Sequence, residues 1–129
     1  MRRQYHFRKS ERGLLAWDVH RLIELTKDIA PQTIPLTDIA ELDETFWFDI
    51  GEQPPTCRNV IGHMQLVAEA NVAYPIILCS DGRVMDGMHR VAKVLLSGQS
   101  HIMAIRLEPT PEPDFVGINP DDLDYTEYP

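Results

Sequence analysis

Apolar residues at Leu15, Val19, Leu22, Leu25 and Ile29 recur three or four positions apart up to Pro31, which predicts a helix ending there. Asp18 suits its N-cap, and Trp17 is placed to staple onto Leu22. Gln32 to Leu36 contains Pro35, so it is predicted as a short edge strand. After Pro54-Pro55, Thr56 caps a second helix that stops near Asn71. Its apolar face is Val60, Ile61, Met64, Val67 and Ala68, which puts His63 on the opposite side, solvated or within reach of the pocket. Pro75 to Cys79 is a continuous apolar run and predicts a buried strand, with Asp81-Gly82 turning the chain into Arg83-Val84-Met85. Asp86-Gly87 then stops the pairing. A third helix follows from Met88 to Ser97 with Gly98 at C′, and His101 to Leu107 reads as a last buried strand.

Between these elements the segment Asp38 to Glu52 carries six acids and no base, yet it holds Phe46-Trp47-Phe48. Aromatics in such a loop are expected to tuck into a core edge; the alternative is an exposed contact for a protein partner. Residues 108–129 carry seven acids, five prolines and no base. Proline lacks an amide donor, so Glu108 to Asp114 cannot continue a ladder or a helix. The tail is expected to be extended and solvated, or to lie on the domain through Phe115, Ile118 and Tyr125. Its acids serve solubility in one reading and a protein partner in the other.

With 129 residues, 43% of them hydrophobic and 25% charged, the chain is one globular domain and not a disordered one. Cys57 and Cys79 form no CxxC, and no apolar signal core follows the charged start, so a reduced, cytoplasmic setting is expected. The longest run free of charged or polar residues, Val72 to Cys79, is too short for a membrane span. The net charge of −8 opposes duplex nucleic-acid binding but not the capture of one small phosphorylated ligand. That charge is uneven. Residues 1–12 hold five bases and one acid, which predicts a basic arm ahead of the first helix in a section spanning 1–31.

The chemistry concentrates at Asp86-Gly87-Met88-His89-Arg90, where a strand, a glycine and a helix start follow one another. Gly87 allows a sharp turn and close approach of a ligand. The first amides of the helix, at Met88 and His89, have no intrahelical acceptor and form an anion site. Arg90 can grip phosphate oxygens bidentately, and Lys93 one turn on adds a cation. A cationic first turn is unfavourable beside a helix N-terminus, a discord that a bound phosphate relieves. The competing reading has Asp86 capping the helix, and Arg90 pairing with Asp86 or with an acid from residues 38–52.

The stretch Tyr74-Pro75-Ile76-Ile77-Leu78 followed by Asp81-Gly82-Arg83-Val84-Met85-Asp86-Gly87-Met88-His89-Arg90-Val91-Ala92 resembles the core of the ParB/sulfiredoxin superfamily. Thr33 to Leu36 is similar to the strand that opens the ParB domain, and His101 to Leu107 to the one that closes it, so the resemblance spans roughly residues 32–107. It implies an α+β fold, a small mixed β-sheet flanked by helices. It also implies a nucleotide ligand (ATP, ADP or CTP) with Mg²⁺, because family members bind CTP or ATP or use ADP as phosphoryl donor. By position Gly87 matches the family glycine, and His89 and Arg90 the nucleotide-contacting pair. Met88 stands where sulfiredoxins carry their catalytic cysteine, which excludes sulfinic acid repair. Arg58 falls near a lysine that sulfiredoxins use on ATP. After Leu107 there is no helix-turn-helix, and with it no centromere reader.

The leading expectation is therefore a nucleotide-binding domain acting on a nucleoside phosphate as an NTPase or phosphotransferase. Asp86 is its candidate catalytic acid or metal ligand, and Asp38, Glu41 or Asp49 are alternative bases. A non-catalytic partner-binding module with a vestigial pocket is the alternative. A nuclease served by a basic arm of Arg2, Arg3, Arg8, Lys9 and Arg12 is third.

Overall fold

Alternation begins earlier than the helical period suggests. Tyr5 and Phe7 point one way and His6 and Arg8 the other, and Tyr5–Arg8 forms strand β1. It pairs antiparallel with β2, Leu15–Asp18, in a register that sets His6 opposite Trp17 and Arg8 opposite Leu15. A computed structural model describes residues 2–51 and 53–128, so Met1, Glu52 and Pro129 lie outside the described residues. The first twelve residues are thus not a free arm but include a strand. The first helix is also shorter than expected: α1 covers Val19–Leu25 only. Leu15 to Trp17 are drawn into the sheet, where Trp17 is buried, while Ile29 stays exposed beyond the helix end. Asp18 is the cap as expected, its carboxylate accepting from the His20 amide at 2.9 Å.

The acidic tail closes this first sheet. Phe115–Val116 is β7, hydrogen-bonded to β2, giving the order β1-β2-β7. The Trp17 indole donates to the Pro111 carbonyl at 2.8 Å, and Asp114 accepts from the Asp18 amide and pairs with Arg21. Tyr5 donates to the Asp124 carbonyl, and Arg3 meets the Asp124 carboxylate. The tail lies on the domain rather than in solvent.

The second sheet holds β3 (Gln32–Pro35), β4 (Ile76–Leu78), β5 (Val84–Asp86) and β6 (His101–Arg106) in the order β3-β6-β4-β5. Only the β4–β6 pair is parallel, so the sheet is mixed, with Pro35 on an edge strand. Alternation divides its side chains between two faces. Ile76, Leu78 and Val84 join Met88, Val91 and Val94 of α3 (Met88–Leu96). Ile77, Cys79 and Met85 join Trp17 and Leu22 on the other side. Helix α2, Cys57–Glu69, is capped by the Thr56 hydroxyl, which accepts from the Asn59 amide. The described residues form an α+β domain with a mixed sheet and helices, as expected, and with a second sheet that was not. Among them no helix is long and apolar enough to cross a membrane.

Helix α2 departs from expectation in the face it buries. Of the apolar stripe, Val67 alone is buried, and Val60, Ile61, Met64 and Ala68 are exposed. Asn59, His63 and Val67 turn inward instead, one turn apart.

Candidate functional site

The chain between β3 and α2 runs through three single 3-10 turns, Leu36–Asp38, Ala40–Asp43 and Phe46–Phe48. Leu36 and Ile39 anchor it in the core, and Phe46 and Trp47 pack against the same cluster. The aromatics therefore tuck into a core edge rather than stand exposed. The same loop buries Glu41 to 2% exposure. Its Oε2 accepts from the Val84 amide at 2.6 Å, covering the outer edge of β5, and lies 3.4 Å from Arg83 Nε. Arg83 also grips both oxygens of Glu44, at 2.7 and 2.6 Å, and this bond raises its pKa. Glu41 Oε1 has no hydrogen-bond partner among the described residues.

The Trp47 indole lies against two imidazoles. Its centroid is 4.6 Å from His63 with planes 6° apart, and 4.9 Å from His89 with planes 13° apart. His63 Nδ1 and His89 Nε2 are 2.9 Å apart, one donating to the other. Burial lowers both pKa values, and His89 falls to about 4 through burial first and then the nearby His63, against the opposing pull of Asp86. Both rings are neutral at pH 7. His63, expected to be solvated or within reach of the pocket, is thus part of the site.

The predicted phosphate cradle is only partly assembled. Gly87 has φ +109°, and a Cβ there would lie 2.6 Å from both Ile76 Cγ2 and Arg90 Nη2, so no side chain fits. Arg90 folds back over that glycine and donates to Asp86 at 2.8 Å, the pair that the competing reading allowed, but Asp86 does not cap the helix: Gly87 is the N-cap and no side chain bonds there. The Arg90 side chain is only 16% exposed, and its Nε has no partner among the described residues. The Met88 side chain is buried in the core, leaving its backbone to the site. Lys93 is engaged elsewhere in the fold. Its ammonium donates to the Ala68 and Ala70 carbonyls, both at 2.8 Å, and so closes the C-terminal end of α2. Arg58 is exposed on the first turn of α2 and lines none of the cavities described below. The structure brings together Asp86, Gly87, His89 and Arg90 with the Met88 backbone, and leaves Lys93 and Arg58 out.

Two of the cavities that touch the aromatic loop bear on the site. One, of about 740 Å³, is lined by Phe46, Trp47, Phe48, Gln53 and Met88 with Glu41 at its edge. The other, of about 1470 Å³, lies between the loop and β1, with His6, Arg8, Glu41, Arg83 and Trp47 in its wall. Arg8 Nε donates to His6 Nε2 at 2.8 Å. Burial, with Arg8 and Arg83 nearby, pushes the His6 pKa down to about 3. His6 was not singled out from the sequence, and Arg8 was named only as part of a basic arm; the alternation of Tyr5 to Arg8 was the available signal.

Asp86 is held by Arg90, and among the described residues no group of three or more His, Cys, Asp or Glu could hold a metal ion. No family model matches this chain, and comparisons with curated proteins and with solved structures find no match either.

Proposed function

We propose that this domain binds a nucleoside phosphate in the cleft between the aromatic loop and the start of α3. The observation that carries this reading is that an aromatic cavity adjoins the first residue of α3. The 740 Å³ cavity has an aromatic wall of Phe46, Trp47 and Phe48, and it is bounded by Met88, the first residue of α3. Small-molecule sites span about 300–1,000 Å³, and a planar base stacks well on an indole. The first amides of α3 then face the phosphate, as helix N-termini do.

Arg90 is the cation of this reading. One of its nitrogens holds Asp86, and the unpartnered Nε lacks an acceptor that a phosphate oxygen supplies. His89, neutral, holds Trp47 in place and offers no charge. Lys93 and Arg58 have no part in it. The likeness of Asp86 to Arg90 to the ParB/sulfiredoxin motif points the same way. Because Asp86 is engaged by Arg90, the proposal is one of binding, with no transfer step assigned to Asp86 and none routed through Mg²⁺.

Thermal unfolding tests it, with ATP, ADP, CTP, GTP and inorganic phosphate, each with and without Mg²⁺. A ligand at a hundred times its Kd adds about 2.7 kcal/mol, a rise of several degrees for a domain this size. The expected result is a rise with at least one nucleotide that is lost in Arg90→Lys, which keeps the charge and removes the planar fork. No rise with any of them overturns the proposal.

A further inference from the structure

We propose that the chain pairs with a second copy of itself through α2 and α3, the two α2 helices lying antiparallel about a twofold axis. The outer face of these helices is apolar. Leu96 is 79% exposed, Met64 63% and Ile61 61%, with Leu95 and Val60 beside them. A groove of about 580 Å³ runs between the helices, lined by Val60, Met64, Ala92 and Leu96 and closed at one end by Trp47 and Phe48 of the aromatic loop. Contiguous apolar patches of this kind mark contact surfaces.

Charge selects the occupant. The molecule carries twenty acids against twelve bases, yet α2 contains only Glu69 and α3 contains none. Two copies of an acidic molecule meet little like charge along these two helices. Lys93, the cation beside the groove, is already committed to the Ala68 and Ala70 carbonyls.

The ends of α2 are complementary to each other. Arg58 stands in the first turn and Glu69 in the last, about three turns apart and therefore on one side of the helix, along the flank of the Ile61–Met64–Ala68 stripe. An antiparallel pair brings Arg58 to Glu69 of the second copy, and the twofold axis makes the same contact again. Within one chain these groups are not so engaged. Arg58 has no ion pair among the described residues, and Glu69 meets only the Gln65 amide, at 3.2 Å.

Sedimentation velocity over a dilution series, without nucleotide, tests the proposal. The expected species at the concentrated end has twice the 14.8 kDa chain mass. Met64→Glu, on an exposed side chain, gives a folded monomer by circular dichroism. Arg58→Glu and Glu69→Arg each weaken pairing about tenfold, and the double charge reversal restores it. That rescue cannot arise within one helix, because side chains meet there only three or four residues apart. A monomer at every concentration, a dimer indifferent to Met64→Glu, or a double reversal that fails to restore pairing each overturns the proposal. None of these outcomes depends on nucleotide binding.

Discussion

Three imidazoles are held neutral by their surroundings, and that gives this protein a pH dependence with a definite sign. His6, pushed to about 3, His89, pushed to about 4, and His63, also lowered, bind protons more readily when the chain is unfolded, where the value is near 6.5. Their contribution to stability is full above pH 6.5 and is lost as the pH falls toward the folded-state values. His6 is the most buried of the three, and it accounts for about 2 kcal/mol of the loss between pH 6.5 and 5. Urea midpoints measured across that range should fall, and His6→Gln, whose amide oxygen can still accept from Arg8, should flatten the slope. A midpoint as high at pH 5 as at pH 7 in the parent would contradict the buried, neutral state of His6.

The helices, the β4–β5 hairpin and the edge strand were legible because their signals are local. Thr56 and Asp18 cap what they were expected to cap, Gly98 follows α3, and Pro35 sits on an edge. The orientation of α2 was not legible, because hydrophobicity alone assigned its inward face. The neighbours decide otherwise: Trp47 and His89 offer His63 a stack and a hydrogen bond, and the apolar stripe is left outside. Lys93 shows the same limit. Its place one turn on from Arg90 suggested a phosphate ligand, whereas only the packing of α3 beside α2 brings carbonyls within its reach. Lys93→Met should therefore loosen the last turn of α2 by about 1–2 kcal/mol. Amide exchange from Val67 to Ala70 should quicken, and nucleotide affinity should stay as it was. Weakened affinity with unchanged exchange would restore Lys93 to the ligand set.

At the scale of the whole molecule, the sheet β1-β2-β7 joins the two ends of the chain, a contact that no local pattern announces. The acids of the tail were legible as charge, but not their places beside Arg3 and Arg21. Those exposed pairs are worth little each. Most of the stabilisation comes from covering Trp17 and completing the ladder on β2. A chain ending at Leu107 should accordingly lose several kcal/mol, read as a marked fall in the thermal midpoint at low and high salt alike. An unchanged midpoint would return the tail to a purely solubilising role. The core sheet was legible in large part because all its strands except β3 fall within one stretch, Ile76 to Arg106, set by short turns and one helix.

The seat of β7 beside β2 also has a consequence for synthesis. Ribosomes deliver the chain from its N-terminus at about 5–20 residues per second, so β2 emerges roughly 5–20 s before the strand that completes its sheet. Through that interval Trp17 has no Pro111 carbonyl to bond, and the open edge of β2 is available to other nascent chains. The first sheet is complete only once Val116 has been delivered, and until then the early hairpin keeps one edge open.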